Sequence, residues 1–221
     1  VRLAQTIGME TVSEYAQRLG VVDFLPTTLS MALGSGETTL LRITTAYAML
    51  VNGGKRITPT LIDRIQDRHG ETIFRHDRRN CVNCRATFWT RQKTPTIADT
   101  RKPVTTPGSA YQVVSMLKGV VERGTGRRIR AVGKPLAGKT GTTNADKDTW
   151  FIGFSPDLAV GGFVGFDTPK TLGRRETGSS VAAPLFRDFM AAALENKKAI
   201  PFRIPPGIRL VRVNATTGEL A

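Results

Sequence analysis

The sequence predicts an α+β domain in which helices pack on an antiparallel sheet. Three apolar runs punctuated by glycine, LAGKTGTTN, TWFIGFSP and LAVGGFVGFD, follow one another closely between residues 136 and 167. Their connections are too short for parallel crossovers, so we expect neighbouring antiparallel strands. Stretches with helical periodicity lie on both sides of them. With 221 residues and 40% hydrophobic side chains, the chain is long enough to bury such a core.

The first half of the chain contains two predicted helices and a hairpin. Apolar residues recur at helical spacing from Leu3 to Leu19 and predict one helix that ends at Gly20. The stretch TTLLRITTAYAMLVN predicts a second helix, stopped by the Asn-Gly-Gly run at 52–54. The alternating stretch ITPTLIDRIQDRHGETIFRHD, with its turn at 68–70, predicts a β-hairpin.

The second half begins with residues 80–108, which are rich in Thr, Arg and Pro and poor in aliphatic side chains. We interpret this segment as a surface excursion. AYQVVSMLKGVVERG predicts a helix before the three strands, and AAPLFRDFMAAALENK predicts a last helix after them. LVRVNATTGELA is typical of a strand and the start of a turn. We therefore expect one domain over 1–200 and a tail with an incomplete hairpin over 201–221.

The formal net charge of +14 is concentrated in two windows. Residues 55–102 hold 12 basic and 5 acidic side chains, and residues 123–147 hold 7 basic and 1 acidic, so the two windows supply +7 and +6. Such patches attract any polyanion, whether nucleic acid, anionic lipid or a pyrophosphate-linked substrate. They are equally compatible with a solvated surface rich in Arg. No nucleic-acid-binding signature accompanies them, so a nucleic-acid partner is not expected.

Within these 221 residues we expect neither a membrane-spanning helix nor an export signal. No apolar run approaches the roughly 20 residues that a membrane helix needs, and no secretory signal opens the sequence. Val1 already lies inside a predicted helix, and the last turn is not completed. We therefore expect a piece of a longer protein.

A short motif at the first predicted strand carries the chemistry: Lys139, Thr140 and Gly141, followed by Thr142 and Thr143. A lysine ammonium in a cleft attracts a substrate carboxylate, and short hydroxyl side chains add directed hydrogen bonds. Glycine lets another backbone approach, so an extended substrate could pair with the strand while a backbone N–H points at an oxyanion.

The pleat of the strand separates these side chains. Lys139 and Gly141 should lie on one face and Thr140 and Thr142 on the other, with the exposed strand edge as the recognition element. A triplet of this length also arises by chance. The alternative is a glycine-broken core strand that carries a surface lysine.

The motif and its surroundings together resemble a known family. The stretches that carry the resemblance run along nearly the whole chain: ALGSGETTLLRITTAYAMLVNGG, RGTGR, AGKTGTTNADKDTWFIGFSPDLAVGGFVGFD and PPGIRLVRVNATTGELA. They are similar to the C-terminal portion of the transpeptidase domain of class A (bifunctional) penicillin-binding proteins of the 1A type. The Lys-Thr-Gly triplet, set between strands, is the pattern expected of penicillin-recognising serine enzymes.

The resemblance implies a D,D-transpeptidase that cross-links peptidoglycan stem peptides through a serine acyl-enzyme, next to a glycosyltransferase domain that polymerises lipid II. The implied partners are stem peptides, β-lactam antibiotics, lipid II-derived glycan strands and other cell-wall synthesis proteins. No cofactor is implied for the transpeptidase reaction. The implied location is the periplasmic face of the bacterial inner membrane, with an anchor outside this chain.

Carried over residue by residue, Lys139, Thr140 and Gly141 would form the catalytic triplet. The Thr140, Thr142 and Thr143 side chains would bind substrate, and the Thr142 N–H would form half of the oxyanion hole.

The nucleophile of the family belongs to an S-x-x-K motif, which precedes an S-x-N motif. The only S-x-x-K here starts at Ser115 and ends at Lys118, and no S-x-N occurs. Only 20 residues separate Lys118 from Lys139, too few for the motif and helices between them. We therefore interpret Ser115 as unrelated to catalysis and expect the nucleophile upstream of Val1.

Cys81 and Cys84 form a C-x-x-C pair in the excursion, with His69 and His76 upstream. A zinc site remains possible by ligand count, but the histidine spacing is unusual. Free thiols are a third possibility. If the resemblance holds, the oxidising periplasm favours a disulfide, and no metal is expected.

Two alternatives to the transpeptidase stay open. A β-lactamase or a D,D-carboxypeptidase of the same superfamily would share the Lys-Thr-Gly triplet. A non-catalytic module could instead bind a polyanion through the two basic windows, with a steep dependence on salt.

Overall fold

A three-stranded antiparallel sheet organises the computed structural model. The model describes residues 1–221 apart from 80, 82, 83, 85, 86, 89, 96, 215 and 221. The helices are α1 (Arg2–Ile7), α2 (Met9–Arg18), α3 (Leu40–Val51), α4 (Pro107–Arg123) and α5 (Ala183–Ala193). The strands are β1 (Arg64–Gln66), β2 (Thr72–Arg75), β3 (Ala137–Thr142), β4 (Thr149–Phe154) and β5 (Ala159–Val164). Short 3-10 turns lie at Leu29–Leu33, Arg127–Val132 and Asn144–Asp146, and a π turn at Gly178–Ala182 leads into α5.

The sheet has the order β3-β4-β5, and both pairings are antiparallel. Helices α3 and α4 contact one face of the sheet, while the π turn and α5 contact the other. Phe154 meets Tyr47 of α3, and Phe151 meets Phe186 of α5 with ring centroids 4.7 Å apart. The predicted α+β class and the three antiparallel strands are therefore confirmed.

The core lies on both sides of β4. Phe151 and Phe154 point to opposite faces and are fully buried. The larger cluster joins Phe151 to α5 and to the turn after α4, and the smaller one joins Phe154 to Val114 and Ala137. Burial of Tyr47 raises the pKa of its phenol. Trp150 is only half-buried and packs against Phe163, with ring centroids 4.7 Å apart.

The single first helix predicted from periodicity is wrong, because Gly8 divides it into α1 and α2. Gly8 has φ 86° and ψ 137°, outside the helical region and costly for any residue with a Cβ. The apolar spacing continues across the break, so periodicity alone did not reveal it. By contrast, α3 ends at the predicted Asn-Gly-Gly run.

The predicted hairpin is confirmed as β1 and β2. Its turn is closed by Asp67, whose carboxylate accepts hydrogen bonds from the N–H groups of His69 and Glu71 at 2.8 and 2.9 Å. This is the Asx-turn chemistry that the Asp-Arg-His-Gly stretch favours. His69 is exposed at the tip, as expected.

The predicted strand in the tail is wrong. In the described part of the tail, residues 201–214 and 216–220, the only β pairing is an isolated bridge between Val213 and Leu220. Asn214 organises the turn between them by accepting hydrogen bonds from the N–H groups of Thr216 and Thr217. The apolar side chains that suggested a strand, Leu210 and Val211, are exposed.

Among the helices of the described residues, none is long and apolar enough to cross a membrane.

A prediction follows from the close packing at Gly153. A Cβ there would lie 2.7 Å from the Ala137 carbonyl oxygen and 2.8 Å from Cζ of Phe186. We expect Gly153→Ala to lower the free energy of unfolding by about 1–3 kcal/mol, because neither neighbour can move freely. Denaturant titration followed by tryptophan fluorescence measures this change. The matched control is Gly162→Ala on β5, where the nearest atom is 3.5 Å away, and equal losses in the two variants would contradict the packing argument.

Candidate active site at the edge of strand β3

Strand β3 carries Lys139, Thr140 and Gly141 at an edge of the sheet. It pairs with β4, and no other strand of the described residues pairs with it. A Cβ on Gly138 would lie 2.6 Å from the Ile152 carbonyl oxygen, so a glycine is needed for this close pairing. The free edge of a strand is where an extended peptide can add.

The backbone direction of β3 follows from its end. The N–H of Thr143 donates to the carbonyl of Asp148, toward β4. N–H groups alternate in direction along a strand, so those of Thr140 and Thr142 point away from β4, to the free edge. An N–H group at the free edge is compatible with the oxyanion donor that the family resemblance implies at Thr142.

Lys139 is exposed, and its ammonium group stays close to the strand. Nζ donates to the Thr140 carbonyl oxygen at 3.0 Å and lies 3.3 Å from Oγ1 of Thr140. None of the ion pairs found among the described residues involves Lys139. The free edge of β3 therefore presents the positive charge of Lys139, and no carboxylate of the described residues pairs with it.

The hydroxyl of Thr142 is oriented by the π turn that precedes α5. The N–H of Gly178 donates to Oγ1 of Thr142 at 3.0 Å. This contact requires glycine, because a Cβ on Gly178 would lie 2.5 Å from the Gly141 carbonyl oxygen. With its oxygen accepting from Gly178, the Thr142 hydroxyl still has its own proton to donate to a ligand.

The hydroxyl of Thr140 meets a residue that sequence reasoning did not single out. Oγ1 of Thr125, in the turn after α4, lies 3.0 Å from Oγ1 of Thr140. The Ser179 hydroxyl donates to the Thr125 carbonyl at 2.8 Å. Thr125 is 15 residues from Thr140 in the sequence, and Ser179 is 54 residues from Thr125. The glycines flanking Thr125 in RGTGR were the only local signal.

Thr143, also predicted to bind substrate, uses its hydroxyl inside the β3–β4 turn. Oγ1 accepts from the Asp148 N–H at 2.9 Å and lies 3.3 Å from the Asp148 carboxylate, to which it can donate. In the same turn Ala145 and Asp146 adopt left-handed backbone conformations, with φ 60° and 50°. This geometry favours a role for Thr143 in shaping the turn.

The S-x-x-K stretch makes no polar contact with this cluster in the described residues. Ser115 is exposed on α4, next to Val114, which faces the sheet. Lys118 is also exposed and forms an ion pair with Glu122, one helical turn further on, at 3.1 Å. Although α4 packs against β3, no described hydrogen bond or ion pair joins Ser115 or Lys118 to the edge of that strand.

Cys81 and Cys84 are linked in a disulfide, with their Cα atoms 5.6 Å apart. The described residues contain no group of three or more His, Cys, Asp and Glu side chains placed to hold a metal ion. Further along the excursion, Asp99 binds Lys55 at 2.6 Å and Arg101 at 2.8 Å. The hydrogen bonds from Arg101 and then Lys55 hold the pKa of Asp99 well below its usual range.

A Lys-Thr-Gly triplet on the edge strand of a sheet covered by helices is typical of penicillin-recognising serine enzymes, and comparison with known families agrees. The model of the penicillin binding protein transpeptidase domain matches residues 1–191. The chain belongs to this family, which supports a transpeptidase role.

Relatives of the chain include penicillin-binding proteins 1A from several bacteria. The chain is 45% identical over 222 residues to penicillin-binding protein 1A of Rickettsia bellii, and 38% identical over 211 residues to that of Neisseria gonorrhoeae. All of the chain aligns with the Rickettsia protein, and 94% of it with the Neisseria protein. It spans only 28% and 24% of their lengths. The predicted family and its 1A type are confirmed.

Solved structures show the same fold. Penicillin-binding protein 1A from Haemophilus influenzae superimposes on the whole chain with a TM-score of 0.83 and 30% identity, and the match takes up 36% of that protein. PonA1 from Mycobacterium tuberculosis matches 89% of the chain with a TM-score of 0.71 and 21% identity, over 53% of its own length. The second similarity concerns the fold alone.

The cysteine pair supplies a prediction. The intact protein, isolated without reductant, should be lighter by two hydrogen atoms than the reduced protein, because the thiols are joined. Mass spectrometry after alkylation, with and without reductant, measures this difference. Cys81→Ser is the control, since it should leave Cys84 open to alkylation in both conditions. Equal alkylation of the native protein with and without reductant would contradict the disulfide.

Proposed function

We propose that the chain is the C-terminal portion, over residues 1–200, of a serine-type D,D-transpeptidase domain in a bifunctional peptidoglycan synthase. The observation that carries the proposal is the free edge of β3, where the ammonium group of Lys139 has no described carboxylate partner and two threonine hydroxyls can donate. This set of groups suits a carboxylate at the end of an extended peptide.

In the proposed reaction the donor stem peptide adds to β3 as an extra strand. Its terminal carboxylate binds the ammonium of Lys139 and the hydroxyls of Thr140 and Thr142. The Thr142 N–H points to the same edge and donates to the oxyanion that develops when the serine attacks the peptide carbonyl. A β-lactam antibiotic, with its own carboxylate and reactive carbonyl, would occupy the same positions.

The serine nucleophile and its base lie outside this chain in our proposal. A serine needs a base within hydrogen-bond reach, and the exposed Lys118 is engaged with Glu122. The remaining parts of the protein would supply these groups, the glycosyltransferase domain and an anchor that keeps the enzyme at the periplasmic face of the inner membrane. Glycan strands derived from lipid II and other cell-wall synthesis proteins would be its partners.

The similarity to 1A-type proteins along the whole chain favours a synthase over the related β-lactamases and carboxypeptidases.

Lys139 provides the main test. In the full-length protein, Lys139→Ala should slow acylation by a fluorescent penicillin about 100-fold or more, because the carboxylate loses its counter-charge. Glycosyltransferase activity should persist. Labelling rates on gels measure the effect. Lys118→Ala is the matched control, since Lys118 is equally exposed but pairs with Glu122. An unchanged rate in Lys139→Ala would overturn the proposed function.

The position of the nucleophile has its own test. The 221-residue chain alone should show no covalent labelling by fluorescent penicillin, whereas the full-length protein should be labelled. Peptide mapping by mass spectrometry identifies any modified residue. A penicilloyl adduct on Ser115 would contradict the assignment of the nucleophile to another segment.

A further inference from the structure

Thr125 is held in place by three backbone contacts in the turn between α4 and the following 3-10 turn. The N–H groups of its two neighbours, Gly124 and Gly126, both donate to the Val120 carbonyl, at 3.1 and 3.0 Å. The Thr125 carbonyl accepts from the Ser179 hydroxyl at 2.8 Å. A Cβ on Gly124 would lie 2.9 Å from Cα of Val120, so this tight turn depends on glycine.

The side chain of Thr125 is exposed and reaches the proposed carboxylate site. Its hydroxyl oxygen lies 3.0 Å from that of Thr140. The ammonium of Lys139 is 3.3 Å from the same Thr140 oxygen. If both groups donate to Thr140, the proton of the Thr140 hydroxyl has to point elsewhere, and the open edge of β3 is the remaining direction.

The second hydroxyl of the site is arranged in the same way. Oγ1 of Thr142 accepts from the N–H of Gly178, which leaves its proton for a ligand. Gly178 and Ser179 are consecutive, so one turn orients Thr142 directly and anchors the backbone of Thr125.

We propose that Thr125 is a positioning residue that donates its hydroxyl proton to Thr140 and so makes Thr140 an obligate donor to the substrate carboxylate. The proposal rests on the proposed function and deepens it, because it concerns selection at that same site. A carboxylate only accepts hydrogen bonds, and it accepts them more strongly than a neutral ester does, so a site whose hydroxyls are all committed to donating favours an anionic end group.

The test compares two forms of one antibiotic on the full-length protein: a penicillin with its free carboxylate and the methyl ester of the same penicillin. Thr125→Val keeps the shape of the side chain but removes the hydroxyl. We expect it to lower the rate constant of acylation by the free acid about tenfold, the loss of roughly one hydrogen bond. The rate with the ester should fall by a much smaller factor, because a neutral ester accepts the same hydrogen bond more weakly.

Two further variants separate positioning from structural damage. Thr125→Ser keeps the hydroxyl and should restore acylation by the free acid. Ser179→Ala removes the anchor of the Thr125 backbone and should also slow the acid more than the ester. Thr11→Val, in α2, is the control, since its hydroxyl contacts only the Ile7 carbonyl of the preceding turn; it should leave both rates unchanged.

Three results would contradict the proposal. Equal slowing of acid and ester in Thr125→Val would show a structural role for Thr125 and overturn the positioning role. An unchanged rate with the acid would also overturn the positioning role. If Thr125→Val fails to fold, the acid-to-ester ratio of Ser179→Ala decides, and a ratio equal to that of the wild type overturns the proposal. A wild-type protein that no penicillin acylates would overturn the proposed function itself.

Discussion

The burial of strand β4 on both faces is the constraint on which the rest of the structure depends. Phe151 and Phe154 are fully buried on opposite sides, so helices must cover both faces of the sheet. Two of those helices, α4 and α5, adjoin the turns that contact β3. The π turn before α5 meets β3 on the Phe151 side, and the turn after α4 meets the same strand near Thr140. The candidate site is therefore a consequence of how the core is covered.

Glycines make these approaches possible. At Gly153 and Gly178 the neighbouring backbone comes so near that any Cβ would collide with a carbonyl oxygen. The close approach of Gly178 brings its N–H to the Thr142 hydroxyl. A chain that packs this tightly can hold hydroxyls in fixed directions, which a binding site for a small anionic group requires.

Sequence reasoning succeeded where the deciding signal was local. The strands from Ala137 to Val164 were predicted because short apolar runs with short connections leave few alternatives. Lys139, Thr140 and Gly141 stand out as a candidate motif because they are contiguous, and all three lie on the edge strand β3. It failed at Gly8, where the apolar spacing continues through a glycine that leaves the helical region. It failed again in the tail, where the apolar Leu210 and Val211 suggested a strand, but no strand of the described residues pairs with them.

The sequence by itself determined the fold class, the family and the triplet that carries the charge, since these depend on patterns within a few residues or on resemblance along the chain. Only the tertiary structure decided how the hydroxyls are used. Thr143 closes a turn, while Thr140 and Thr142 are each paired with a partner from a distant element. The physical reason is that the direction of a hydroxyl proton is set by its neighbours in space. Those neighbours, Thr125 and Gly178, reach β3 only when the helices pack on the sheet.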